Sequence, residues 1–171
     1  MSAIDERPTR STGKSTQDGA RPSAGGATRV LMLPQLPYAD AVHAALRGVG
    51  LLPACYEAGL RRRRTGTAEL FVRAVWPVGA TALAGPARSR GLTIAWSHVT
   101  GWSAHDAEES CALLDVDALA APELVADAAG HHARHGVDEA RPWMAPADGR
   151  WSEAVYLDLA IAHFETAEVN R

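Results

Sequence analysis

The stretch that decides the fold runs from Gly91 to Gly136 and reads GLTIAWSHVTGWSAHDAEESCALLDVDALAAPELVADAAGHHARHG. LTIAWS and GWSAHD flank HVT, which predicts a hairpin, and Gly101 can supply the positive φ that hairpin turns often need. SCALLDV can add an edge strand. From Pro122 to His135 apolar residues recur at helical spacing, and Gly136 then suits the C-terminal cap. The stretch therefore predicts three strands followed by an amphipathic helix.

Upstream, residues 37–48 begin at a proline and carry apolar side chains at helical spacing, which predicts a first helix. ACYEAGL and AELFVRAVWP then flank RRRRTGT, which predicts an earlier hairpin with an arginine-rich loop. Both faces of the second strand are partly apolar, so we expect a central strand that ends at Pro77. Residues 77–91 contain three glycines and two prolines, which predicts an irregular loop.

The C-terminal segment WSEAVYLDLAIAHFETAEV fits two conformations. Ser152 and the alanine content favour a helix, whereas Val155, Leu157, Leu159 and Ile161 alternate as in a strand. We favour the helix. Such a helix is apolar nearly all round, so one face is expected to pack on the domain and another to meet a partner, most simply a second copy.

These elements together predict an α+β fold, in which an antiparallel sheet of four to five strands carries two to three helices on one face. Residues 1–28 contain few large apolar side chains, so they are expected to form a disordered tail. The α+β domain is assigned to residues 29–136. Residues 137–171 are assigned to a linker and to the apolar C-terminal segment, packed on the domain or on a partner.

Composition narrows the class of protein. The 171 residues are 47% apolar and carry a formal net charge of −3, which fits one domain and does not indicate a general nucleic-acid binder. The two cysteines are too few for a secreted disulfide scaffold and are expected to be reduced core residues. Neither a signal peptide nor a run of 18 apolar residues is present, so a cytoplasmic location without membrane contact is expected.

The pieces PYADAVHAALRGVGL, LTIAWSHVTGWSA and DALAAPELVADAAGHH carry a resemblance to a known group of domains. The Gly101–Trp102 pair and the helix start at Ala121–Pro122 contribute most of it. Over about residues 37 to 136 the chain resembles a domain-of-unknown-function family of small α+β domains from high-GC Gram-positive bacteria. The resemblance implies a fold, and it implies no activity, cofactor or site residue.

A metal site is one candidate for the chemistry. Asp127, His131 and His135 are spaced four residues apart, so they lie along one side of the predicted helix. Two histidines at i and i+4 can chelate zinc. The catalytic HExxH pattern is absent, because position 132 is histidine. Favourable interaction of histidines with the helix C-terminus is the simpler explanation, and no cofactor is expected.

A nucleic-acid site is the second candidate. Arg61, Arg62, Arg63 and Arg64 lie in one hairpin loop and could hold phosphates, assisted by a basic tail. No aromatic residue alternates with them, unlike in a single-strand binding surface. The alternative is a solvated hairpin tip whose charges prevent edge pairing, and such a tip would tolerate loss of its arginines.

A protein interface is the third candidate. Trp76 and Trp96 fall in strand patterns and are expected in the core, whereas tryptophans that flank turns are candidate interface anchors. The predicted interface residues are Trp102, Trp143, Trp151, Leu157, Ile161 and Phe164. Self-association or a protein partner would cover them.

No nucleophile elbow and no glycine-rich phosphate loop occurs in the sequence. The sequence therefore favours a non-catalytic cytoplasmic interaction or regulatory module, for which a homodimer is one expected form. The alternatives are a nucleic-acid-binding protein that uses the arginine-rich loop and a metal-dependent enzyme that uses the histidine-rich helix.

Overall fold

A computed structural model of the chain describes residues 33–64, 66–138, 140–146 and 149–169. The tail predicted over residues 1–28 lies outside the described residues. The elements in chain order are α1 (Leu36–Gly48), β1 (Cys55–Arg62), β2 (Ala68–Trp76), α2 (Gly85–Arg90), β3 (Leu92–Ser97), β4 (Gly101–His105), β5 (Cys111–Leu113), α3 (Pro122–His135) and α4 (Ala154–Val169).

The five strands form one antiparallel sheet in the order β1-β2-β3-β4-β5, so every strand pairs with its neighbour in sequence. The first hairpin turns through Gly66, whose φ of 85° is accessible to glycine without strain. The second hairpin turns through residues 98–100, with Gly101 at a φ of 72°. The predicted α+β fold with an antiparallel sheet and helices is therefore confirmed.

Alternation along the strands separates a buried face from an open one. On β2, Leu70, Val72 and Ala74 are buried, and their partners on β3 continue the same face. That face packs against α1 and α3, which also contact each other. The opposite face carries Glu57, Arg73 and other half-exposed side chains, so the fold has one layer of helices on one side of the sheet.

Three local features bear on the sequence-based expectations. The segment expected to be an irregular loop contains the short helix α2, which begins at Gly85–Pro86 because proline suits a first helical turn. Cys55 and Cys111 are free, but they lie half-buried and exposed on the two outermost strands, so the prediction that they are core residues is wrong. The C-terminal segment is helical, as favoured, over Ala154–Val169.

Among the described residues, no helix has the length and apolar character needed to cross a membrane.

Candidate functional site

The arginine-rich hairpin closes on a buried carboxylate. Glu69 lies on β2 with only 1% of its surface exposed. Of the four arginines predicted in the loop, Arg61 and Arg62 end strand β1, and Arg63 and Arg64 lie in the turn. Arg61 donates through Nε to Glu69 Oε2 at 2.9 Å. Arg63 donates through Nε and Nη2 to the two oxygens of the same carboxylate, both at 2.9 Å. The loop arginines therefore have a partner inside the protein that sequence reasoning did not identify.

Ser97 is a third side chain that hydrogen-bonds to Glu69. Its hydroxyl donates to Glu69 Oε1 and accepts from the backbone N–H of Val99 at 3.1 Å. The hydrogen bonds from Arg63 and then Arg61 hold the pKa of Glu69 far below its usual range, although burial acts in the opposite direction. A carboxylate held in this way stays charged at neutral pH and stabilises the hairpin.

The ion pairs of these arginines weaken the hypothesis that the hairpin binds phosphates. Two of the four guanidinium groups share Glu69, and Arg62 Nη2 lies 3.4 Å from Glu168 Oε2 on α4. Arg64 is exposed in the turn. Much of the positive charge that the sequence places in this loop is therefore balanced within the chain, and the nucleic-acid hypothesis stays a prediction.

The neighbouring Ser97 and His98 do not form a nucleophile–base pair. His98 Nδ1 accepts from the backbone N–H of Leu70 at 3.0 Å, and its Nε2 lies 3.6 Å from Glu165 Oε1. The His98 ring also meets Phe164 edge to face at 6.0 Å. These contacts seat α4 against the hairpin end of the sheet beside a cleft of about 600 Å³, and they favour a structural role over acid–base chemistry.

The predicted metal ligands are engaged elsewhere. Asp127 Oδ2 accepts from Trp143 Nε1 at 2.9 Å, and His131 Nε2 lies 2.9 Å from the carbonyl oxygen of Arg141. The rings of His131 and His135 approach with centroids 4.8 Å apart. Within the described ranges, no group of three or more histidine, cysteine or acidic side chains has the geometry to hold a metal ion. The structure therefore brings the two histidines together and directs Asp127 to a tryptophan.

His132, one residue along the same helix, is buried. Its Nδ1 lies 2.9 Å from the carbonyl oxygen of Gly136, and its Nε2 has no hydrogen-bond partner among the described residues. Burial lowers the pKa of His132, and positive charge on His131 and His135 lowers it further. Protonation therefore disfavours the folded state.

This burial predicts a pH dependence of stability. Because the unfolded chain binds a proton at about pH 6.5 and the folded chain only at lower pH, the free energy of unfolding should be highest above pH 6.5 and fall below it. We expect His132→Gln to remove part of this fall. The measurement is urea unfolding of both proteins at several values between pH 5 and pH 8. Equal slopes in the two proteins would contradict the assignment to His132.

The six predicted interface residues all contact the chain's own domain. Trp102 is buried and donates to the hydroxyl of Tyr38 at 3.0 Å, and Trp143 is buried against Asp127. The Trp151 ring lies 5.0 Å from that of Tyr38. Leu157 is 3% exposed, and Ile161 and Phe164 pack against the core. Leu157, Ile161 and Phe164, which were predicted to meet a partner, therefore pack on the chain's own domain.

Glu69, Ser97 and His98 were not identified as a cluster from sequence. The available signal was a glutamate that begins an otherwise apolar strand directly after four arginines. The contact of Glu69 with Ser97 could not be read from the sequence, because it depends on the β2–β3 register, which places Ser97 opposite Phe71.

Comparison with known proteins gives no further information, because no protein-family model, no curated protein and no solved structure matches this chain.

Proposed function

We propose that this protein is a non-catalytic interaction module that docks through the outer face of α4, most simply with a second copy of itself. The observation that carries the proposal is the apolar character of that face. Val155, Tyr156 and Leu159 are 64%, 76% and 59% exposed, and all three lie within the first two turns. A neighbouring stripe of the same helix packs on the domain, so the exposed residues are held in a fixed position.

The charges of α4 support self-association. The three acidic residues of the helix are directed toward basic groups of the domain: Asp158 contacts Arg150, Glu165 lies near His98 and Glu168 pairs with Arg62. The helix contains no arginine or lysine. Two copies can therefore approach through their outer faces with less like-charge repulsion than the sequence suggests, and burial of the aliphatic side chains would drive association at about 25 cal/mol per Å².

The polar side chains that come nearest to a catalytic pattern are engaged within the chain. The Ser97–Glu69 pair is occupied by two arginines, and His131 and His132 of α3 bond to backbone carbonyls. A regulatory or scaffolding role in the cytoplasm is the proposal that these features support best.

The proposal is tested by introducing two negative charges on the outer face of α4. Val155→Glu with Leu159→Glu should lower the particle mass measured by light scattering on a sizing column, because each of the two copies would have to bury two carboxylates at the contact. Val78→Glu is the matched control, since Val78 is an equally exposed aliphatic residue in the loop after β2. A mass that is unchanged by the double substitution, with both proteins folded by circular dichroism, would rule out this docking surface.

A further inference from the structure

The outer edge of β1 is the feature that the proposed function leaves unused. β1 is the first strand of the sheet, spans Cys55–Arg62, and pairs with β2 on one side only. The other outermost strand, β5, covers only Cys111–Leu113. Short edge strands limit unwanted pairing, whereas a long edge offers a template for another strand.

The hairpin geometry fixes which backbone groups of β1 face outward. Arg63 N–H donates to the carbonyl of Thr67 and Gly66 N–H donates to the carbonyl of Arg63, each at 2.9 Å, which closes a three-residue turn. From this turn, hydrogen-bonded pairs alternate along the ladder, so the odd-numbered residues of β1 bond to β2. The residues whose N–H and C=O point away from the sheet are Tyr56, Ala58, Leu60 and Arg62.

The β2–β3 ladder supports this assignment independently. His98 N–H donates to the carbonyl of Leu70 at 3.3 Å, so the even-numbered residues of β2 face β3 and the odd-numbered ones face β1. None of the outward groups of β1 hydrogen-bonds to another described residue. The edge therefore presents a row of backbone donors and acceptors in strand geometry.

Two of the usual protections against pairing, a bulge and a proline, are absent from β1, although the strand carries the charged residues Glu57, Arg61 and Arg62. The register with β2 runs without a bulge from Cys55–Val75 to Arg62–Ala68, and the strand contains no proline. β1 is also held firmly from below, because the Tyr56 hydroxyl donates to the carbonyl of Ala39 at 2.6 Å and the Tyr56 ring stacks on His43. Rigid backbone of this kind loses little freedom when a further strand is added.

We propose that β1 pairs with β1 of a second copy, antiparallel across a two-fold axis at Gly59, and joins the two sheets into one. The register follows from the outward groups, since even-numbered residues must pair with even-numbered ones. An axis at Gly59 satisfies this and pairs residues 56–62 with the same residues of the partner. Glycine at the axis leaves room for the close approach of two backbones.

Charge complementarity selects this register. With the axis at Gly59, Glu57 of each copy lies opposite Arg61 of the other, so two opposite-charge pairs form on the open face. An axis at Ala58 would instead place Glu57 opposite Gly59. The existing contacts leave both groups capacity for a second partner, because Glu57 uses Oε2 toward Arg73 and Arg61 uses Nε toward Glu69. The surface is therefore self-complementary.

This pairing is independent of the docking surface on α4. With both surfaces occupied, each copy binds two neighbours, so the full chain is expected to form a particle larger than a dimer. Glu57→Arg should reduce this particle to a dimer, because the introduced guanidinium group would lie opposite Arg61 of the partner subunit, and Arg61→Glu should do the same. An equimolar mixture of the two variants should restore the wild-type mass, since both cross-strand pairs become attractive again. Glu123→Arg, on an exposed position of α3, is the control.

Ala58→Pro is the second variant, in case Arg61→Glu fails to fold beside Glu69. It removes an N–H that points away from the sheet and should reduce the particle to a dimer while circular dichroism stays unchanged. Unchanged mass in folded Glu57→Arg and Ala58→Pro, with the pair Val155→Glu and Leu159→Glu still lowering it, would overturn this inference and leave the proposed function standing. The reverse pattern would support strand pairing and reject α4. A monomeric wild type would overturn both.

Discussion

Replacing Arg61 and Arg63 together with serine is expected to lower the free energy of unfolding at pH 7 by about 3 kcal/mol. Glu69 is almost completely buried, and these two guanidinium groups supply its charged partners. Removing both leaves a buried carboxylate whose one side-chain donor, among the described residues, is Ser97. The exposed guanidinium groups stay partly hydrated, so the loss belongs at the lower end of the range for buried pairs. Urea unfolding followed by tryptophan fluorescence measures it.

Two controls separate this effect from a general sensitivity of the loop. Arg64→Ser, in the same turn, should change stability by less than about 0.5 kcal/mol, as for most surface substitutions. Adding Glu69→Gln to the double variant should recover much of the loss, because no charge is then buried without a partner. A double variant as stable as wild type would show that the loop behaves as the solvated tip considered from sequence.

The carboxylate of Glu69 also determines how the free energy of unfolding changes at acidic pH. Because the pKa of Glu69 is lowered by folding, its contribution is complete above its unfolded pKa of about 4.3 and is lost as pH falls through the folded value. The arginine double variant should therefore lose less stability than wild type on acidification.

Replacing Trp102 with alanine is expected to lower the free energy of unfolding by about 3–5 kcal/mol, the range for large aromatic residues in cores. The Trp102 ring is buried within 6.1 Å of the Tyr38 ring, measured between centroids. Its Nε1 donates to the Tyr38 hydroxyl, which donates to the carbonyl of Ala120 at 2.7 Å. The substitution removes the packing of the indole ring and its hydrogen bond to Tyr38. Thermal and urea unfolding measure the loss.

Trp151→Ala is the matched control for Trp102. Trp151 contacts the same tyrosine but is only half-buried, so a smaller loss is expected. The prediction also separates a core role from the interface role inferred from sequence. If Trp102 were an interface anchor, the alanine variant would keep its stability as an isolated chain and lose only particle mass on a sizing column.

The local elements were predictable because their causes lie close together in the sequence. The helix expected from Pro122 to His135 has those bounds, since proline suits its start and Gly136 adopts a φ of 77° beyond its end. The two hairpins follow from glycine turns between alternating strands. The short helix α2 was missed because its glycine and proline content indicates a loop until Ala87 is buried beneath α3.

The sequence by itself determined the identity and order of the strands and main helices, and it indicated that α4 has two apolar faces. Only the tertiary structure decided which face is covered, which tryptophans are buried, and that Arg61 and Arg63 share Glu69. The physical reason is that periodicity reports neighbours along one element. Burial and ion pairing depend instead on elements distant in sequence, such as Ser97 beside Glu69 and Glu168 beside Arg62.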